Sequence, residues 1–370
     1  MKTYKNLWNT FLSDDNIREA IMNASKGKRN RALMKDIYNN PDYWIPIIRG
    51  WALNFENAPH VPVQIYDGIK HKKRQIIVPS NKEQVIHHMI CNVLKPIFMK
   101  GMYEHSYGSI PKRGGTMARN RIERWIKHDK HNTKYVLKMD IHKFFDSVSH
   151  TILKRKLKEK IRDERLLEIL FTVIDITKVG LPLGFYTSQW LANWYLQDLD
   201  HFIKETLGAK YYMRYMDDMV IFGANKRKLH KLRIAIEEFL YRELDLELNP
   251  KWQVYRFICI KHDKERGRDL DFMGFRFYYN RVILRKSIML RCSRKAKNIF
   301  RKGECTVYDA RQILSYIGWL DYTDTYRFYL KYVKPFISIQ RCKRKVSADD
   351  KRKARERSLF NGLEVRRECS

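Results

Sequence analysis

The run Lys210-Tyr-Tyr-Met-Arg-Tyr-Met-Asp-Asp-Met-Val-Ile-Phe222 decides the fold. Two stretches rich in aromatic and branched residues flank Met216-Asp217-Asp218, the composition of two strands joined by a tight turn. The turn then presents two adjacent carboxylates. Held together away from water they repel, and each is costly to ionise. A cation belongs beside them, and Mg²⁺ suits hard oxygen ligands. The alternative is a plain polar turn, where Asp is common. A third carboxylate in similar company tips the balance. Asp140 lies near the end of Tyr135-Val-Leu-Lys-Met-Asp-Ile141, a strand-like run that stops at Phe144-Phe145. Three carboxylates delivered to one sheet edge make a cage for two metals. Two ions about 3.5–4 Å apart activate a 3′-hydroxyl and stabilise a leaving pyrophosphate.

Working outward, the 370 residues are enough for two or three subdomains with a real core. The formal charge is +33, from 74 basic and 41 acidic residues, which makes an anionic polymer the default partner and a membrane surface the weaker one. No apolar run reaches the roughly 18 residues of a membrane span. The start lacks the apolar core of a secretory signal. Cys91, Cys259, Cys292, Cys305, Cys342 and Cys369 are scattered without a C-x-x-C pair, the pattern of free thiols in a reducing compartment and not of a zinc ribbon.

Residues 1–60 read as helical, with Ser13 capping a helix whose apolar face is Ile17, Ala20, Ile21 and Ala24. Asp67-Gly68 between two strand-like runs predicts a hairpin. Its returning strand opens with Lys72-Lys73-Arg74, cations able to grip a triphosphate, Arg74 bidentately. A helix over 84–100 carries His87-His88, and adjacent helical residues do not share a face, which argues against a metal pair. Ser106 to Gly115 is loop-like, with Lys112 and Arg113 available to a phosphate backbone. Ser149 and Asp163 are candidate caps for the next two helices. Gly180-Leu-Pro-Leu-Gly184 opens a long helix expected to run to Lys204 and stop at Gly208; such an opening faces backbone amides toward an anion or a base pair. Asn225 starts a helix of about eighteen residues. Asp271 to Phe277 reads as one strand with close backbone approach at Gly274. Beyond Leu284 the chain is helical and basic. Residues 341–370 hold 11 basic and 5 acidic residues, the composition of a partly disordered tail.

Taken in order, these features resemble the reverse transcriptases. Tyr215-Met-Asp-Asp218 behind Asp140 is similar to their palm motif. The resemblance implies an α+β chain with a right-hand polymerase fold. An N-terminal helical extension (1–60) is followed by fingers (61–135), a palm of antiparallel sheet plus helices (136–280), a helical thumb (281–340) and the basic tail. It implies catalysis by Asp140, Asp217 and Asp218, with Asp140, Ile141, Asp217 and Asp218 holding two Mg²⁺ ions, for which Mn²⁺ can substitute. Lys73, Arg74, Phe145, Leu183, Gly184, Gln189 and Lys251 would meet the incoming deoxynucleotide. Phe145 would be the gate against a 2′-hydroxyl, a role Phe144 could exchange with it. Lys251 would lie near the pyrophosphate. Met273, Gly274 and Phe275 would form the primer grip, and Lys112 and Arg113 would contact nucleic acid.

Within that family, Leu183 where most members have Gln, together with Ala192-Asn193-Trp-Tyr-Leu and Ser315-Tyr-Ile-Gly-Trp-Leu320, resembles the enzymes of diversity-generating retroelements. That implies error-prone copying at adenines of a template-repeat RNA from a DNA or RNA primer. It also implies dNTP substrates, a small basic oligomeric accessory variability protein as partner, no membrane, and a bacterial or phage-encoded cytoplasmic enzyme. An antiphage-defence or orphan group II-like reverse transcriptase keeps the chemistry and changes the biology. A non-catalytic RNA-binding scaffold is the reading from another class.

Overall fold

The computed structural model describes residues 3–29, 31–67, 72–261 and 264–367. They form two compact units, one comprising the chain up to Ala118 with Asp129–Arg256, the other Arg119–His128 with the chain from Phe257 onward.

The first unit begins with helices α1 (Leu7–Phe11), α2 (Asp14–Ala24), α3 (Ala32–Asn39) and α4 (Pro41–Leu53). Ser13 caps α2 as its sequence predicts, accepting from the Asn16 amide, and Ile17, Ala20, Ile21 and Ala24 are the buried face. Strands β1 (Val63–Asp67) and β2 (Lys72–Ile76) pair antiparallel with Ile65 opposite Arg74; the turn at Gly68 lies outside the described residues. Helix α5 (Asn81–Met99) starts earlier than apolar spacing alone suggests. Ser80-Asn-Lys-Glu83 is a reciprocal capping box, a signal present in the sequence. α5 is buried along most of its length. His87 lies wholly buried with its ring 4.5 Å from that of Phe185, and His88 stacks on Tyr186 at 4.2 Å.

After β3 (Ser106–Tyr107) and α6 (Gly115–His128), β4 (Tyr135–Met139) enters the central sheet. Helices α7 (Phe144–Ser147), α8 (His150–Lys160) and α9 (Glu164–Ile174) follow. Asp163 caps α9 through the Leu166 amide, but the Ser149 side chain makes no cap bond. The helix expected over 186–204 is broken into α10 (Tyr186–Tyr195), α11 (Gln197–His201) and a π-helical turn, Phe202–Thr206. The chain then forms β5 (Tyr211–Tyr215), β6 (Asp218–Gly223), α12 (Lys226–Leu244) and β7 (Gln253–Arg256). The five-stranded sheet has the order β3-β5-β6-β4-β7, with only β3 parallel to its neighbour. Tyr212, Met213 and the run Met219–Phe222 are fully covered, so β5 and β6 are central strands.

The second unit holds β8 (Cys259–Lys261), β9 (Lys264–Arg266), a three-stranded meander β10 (Leu270–Phe272), β11 (Phe275–Phe277) and β12 (Val282–Leu284), then helices α13 (Lys286–Arg301), α14 (Val307–Leu320), α15 (Tyr326–Tyr332) and α16 (Ile339–Arg367). Two sequence expectations change here. Asp271–Phe277 is a hairpin and not one strand: Met273 and Gly274, at φ 52° and 86°, are its turn. The basic tail is helical. Cys342, Val346 and Asp349 fall at helical spacing on a covered stripe, and α16 packs on α14. Arg311 of α14 pairs with Asp349 and Asp350 of α16. Composition alone read this segment as tail because its charge hides a narrow contact stripe.

No helix among the described residues is long and apolar enough to cross a membrane. Cys91, Cys259, Cys292, Cys305 and Cys342 are free thiols.

Candidate active site

The site is built at one end of the central sheet. β4 pairs with β6 so that Met139 faces Met219; one step further, the register brings Asp140 to Asp218. Asp217 and Met216 are the two residues between the paired Tyr215 and Asp218. A one-residue slip would send the carboxylates to the wrong face, and the buried flanks of β5 and β6 forbid it. All three carboxylates are half-buried.

Burial pushes the Asp217 carboxyl above its ordinary range, and the negative charge of Asp140 pushes the same way. The Arg74 and Arg214 guanidinium charges pull it down without offsetting this. Asp140 is itself oriented: Asn249 donates its side-chain amide to Asp140 Oδ2 at 2.9 Å and its backbone N–H to the Asp140 carbonyl at 2.9 Å. Ile141 bridges to Leu248 and His142 N–H donates to the Glu247 carbonyl, so the chain beyond β4 is held by residues 247–249. The Ile141 side chain is core, which leaves its main-chain carbonyl as the donor it offers a metal. Lys251 is exposed two residues beyond Asn249.

Among the described residues, no three His, Cys, Asp or Glu side chains converge into a ready-made cage. A carboxyl that burial and a neighbouring carboxylate keep from ionising, as at Asp217, nevertheless fits a hard divalent cation, and Mg²⁺ typically takes one or two carboxylates and completes its shell with water and substrate phosphate.

Three further elements close around this edge. β2 carries Arg74, half-buried, whose charge is felt at Asp217; Lys73 is exposed, one residue earlier on the alternating strand. Just beyond β2, the Ile77 N–H donates to the Leu183 carbonyl at 2.8 Å. Gly184 sits at φ 114°, and a Cβ there would lie 2.1 Å from the Ile77 carbonyl oxygen, so only glycine allows this approach. Gly180 packs equally tightly on the Phe145–Asp146 backbone, and Leu181 N–H donates to the Phe145 carbonyl at 2.6 Å. The 180–185 loop therefore ties the turn after β4 to the root of the β1–β2 hairpin. Phe144 is 2% exposed and belongs to the core, whereas Phe145 is only half-covered. Gln189 accepts from Ser109 Oγ at 2.5 Å, linking α10 to the 106–110 loop. Lys112 is exposed at a turn, while Arg113 commits one Nη to the Tyr103 carbonyl at 2.7 Å.

The residues read as a primer grip lie in the second unit. Phe275 is buried and stacks on Trp319 at 5.3 Å, so its side chain shapes the hairpin and does not offer a contact surface; Met273 is the more exposed of the three. Gly274 has Ile288 and Trp319 at 3.0 and 3.1 Å from where a Cβ would stand.

Carboxylates gathered at one end of a sheet, with the charge of a basic hairpin felt at one of them, suit a divalent cation and an anionic ligand. The profile of the family described as reverse transcriptase (RNA-dependent DNA polymerase) matches residues 65–277. This chain belongs to the reverse transcriptase family. It is 27% identical over 233 residues to the Retron Ec73 reverse transcriptase of Escherichia coli, covering 58% of this chain and 70% of that one. It is 25% identical over 142 residues to the group II intron-encoded protein LtrA of Lactococcus lactis subsp. cremoris, covering 36% of this chain and 23% of that one. The apo telomerase of Candida Tropicalis, truncated from its C-terminal domain, aligns with a TM-score of 0.46 and 16% identity over 64% of this chain and 59% of that one. As a reverse transcriptase the chain is an RNA-directed DNA polymerase, and the matched span contains each of the three carboxylates.

Sequence reasoning missed Asn249 and Arg214. Both carried a signal: Arg214 is a charge inside a run of strand residues, and Asn249 precedes Pro250 where the chain must turn.

Proposed function

We propose that this reverse transcriptase copies RNA into DNA at a two-metal centre formed by Asp140, Asp217 and Asp218, and that it serves a diversity-generating retroelement with errors concentrated at template adenines. What supports the catalytic assignment is the sheet register, which sets Asp140 at the end of β4 beside Asp218 of β6, next to Asp217 in the β5–β6 turn. Asp140, steadied by Asn249, and Asp217 supply the anionic face; Arg74, whose charge is felt at Asp217, brings positive charge for a triphosphate. Phe145, half-covered beside the Gly180 loop, is the wall that a ribose 2′-hydroxyl would strike. The bound ions would supply charge neutralisation for the triphosphate and a lowered pKa for the attacking 3′-hydroxyl.

The error-prone reading rests on Leu183. Its carbonyl is engaged by Ile77 and its side chain is half-buried beside the turn into α10. An apolar side chain there offers no hydrogen bond to an incoming nucleotide or its partner base, so discrimination loses a polar check. A retron-type enzyme is the second reading, favoured by the identity with the Ec73 protein.

The test is primer extension on RNA with dNTPs and Mg²⁺, with product sequencing. Activity that disappears in Asp217→Ala and Asp218→Ala supports the centre; activity that survives removes it. Misincorporation opposite adenine that falls in Leu183→Gln supports the retroelement reading. An accurate wild-type enzyme would favour the retron-type one.

A further inference from the structure

Arg214 stands one residue before the end of β5 with no solvent exposure, and its partner Asp200 on α11 is equally buried. Burying two charges costs several kcal/mol per ion in round terms, and well-packed apolar residues of similar size often serve as well or better. If the pair only pinned α11 to the sheet, it would be an expensive way to do it.

The guanidinium does more. Nε donates to Asp200 Oδ1 at 2.8 Å and Nη2 to Asp200 Oδ2 at 2.6 Å. Nη1 donates to Asn193 Oδ1 at 3.1 Å and to the Met216 carbonyl at 3.0 Å, and Nη2 reaches the Asn193 carbonyl at 3.3 Å. These bonds use every N–H that an arginine has. Lysine, with a point charge and three donors, cannot reproduce that fork.

Met216 is where the network meets the site. It is the first residue of the two-residue turn and directly precedes Asp217. It adopts φ 55°, a left-handed conformation that costs a non-glycine residue about 1 kcal/mol or more. The turn is held from every side. Met216 N–H donates to the Tyr107 carbonyl at 3.1 Å, its carbonyl receives Arg214, and its sulfur receives Asn193 Nδ2 at 3.4 Å. Asn193 Nδ2 also donates to the Gly108 carbonyl at 3.1 Å. Gly108 itself leaves room for Met216: a Cβ there would stand 3.0 Å from Met216 Cγ.

We propose that Arg214 is a positioning residue of the polymerase centre. By fixing the Met216 carbonyl it holds the left-handed turn that aims Asp217, so that metal affinity, and not only stability, depends on it. This rests on the reading of Asp217 as a metal carboxylate.

The full-length protein, free of nucleic acid and dNTP, is titrated with Mn²⁺ and the free ion read by electron paramagnetic resonance, alongside melting temperatures. Wild type is compared with Asp217→Asn, Arg214→Lys and the double variant Arg214→Met/Asp200→Leu. The double variant is made together with Tyr212→Phe, because the buried Tyr212 hydroxyl donates to Asp200 Oδ1 at 2.7 Å and would otherwise lose its partner; it then replaces the ion pair by apolar packing and leaves no unpaired charge. The expected result is a folded double variant with a melting temperature near wild type and Mn²⁺ affinity weakened by about tenfold. In primer extension its kcat falls, KM for dNTP changes little, and raising the metal concentration recovers part of the rate. Arg214→Lys, which keeps the charge and loses the reach to Met216, weakens Mn²⁺ in the same direction and serves as the reading should the double variant not fold. Mn²⁺ binding that needs Asp217 but is indifferent to Arg214 overturns the positioning role alone. Binding indifferent to Asp217→Asn overturns the metal-site reading, and this role with it.

Discussion

Asn249 grips Asp140 twice, by side chain at Oδ2 and by backbone N–H at the carbonyl, each at 2.9 Å. A carboxylate at the end of a strand would otherwise swing freely. Here a residue more than a hundred positions away sets its direction.

Asn249→Ala removes a hydrogen bond to a charged group, about 1.5–3 kcal/mol. Much of that loss should fall on the transition state, lowering kcat/KM by about tenfold or more while the melting temperature drops only slightly. Asn249→Asp should be worse, since it adds a like charge beside Asp140. Steady-state kinetics of the two variants, with thermal melts, check this.

The raised pKa of Asp217 makes a pH-dependent prediction for the metal-free protein. A carboxyl that keeps its proton to higher pH in the folded state than in the unfolded one costs stability as pH rises through that interval. Asp217→Asn escapes that cost. Its melting temperature should exceed that of wild type at neutral pH, and the difference should vanish below the ordinary value of 3.8. Added Mg²⁺ should raise the wild-type melting temperature and leave the variant unmoved.

At Gly184 an added methyl meets the Ile77 carbonyl oxygen at 2.1 Å in a backbone region closed to most side chains. Gly184→Ala should therefore displace the root of the β1–β2 hairpin, costing about 3 kcal/mol. Arg74 is carried by that hairpin, so KM for dNTP should rise more than kcat falls.

The two adjacent phenylalanines should part company under mutation. Phe144→Ala opens the core and should destabilise the fold by about 3–5 kcal/mol. Phe145→Ala, at the half-covered ring, should leave the melting temperature nearly intact and admit ribonucleotides. Incorporation of rNTP against dNTP measures the second effect, and denaturant unfolding the first.

With a formal charge of +33, binding to RNA should be steeply dependent on salt. Affinity is expected to fall by about a thousandfold between roughly 50 and 200 mM monovalent salt. A flat response would show that phosphate contacts are few.

The local sequence determined the elements that carry the chemistry. Aromatic and branched runs around Met216-Asp217-Asp218 fixed the hairpin, Ser13, Asp163 and Asn225 fixed helix starts, and the order of motifs along the chain fixed the family, because these depend on neighbours within a few residues. Only the tertiary structure decided which of Phe144 and Phe145 is core and which is half-covered, that Phe275 is core, that residues 271–277 turn back on themselves, and that the basic tail is a helix. It alone brought Asn249 to Asp140, Arg214 to Met216 and Ile77 to Gly184. Periodicity records which face of an element is buried, but hydrogen bonds between distant segments leave no periodic trace; they exist only once sheet register and loop closure have set the partners side by side.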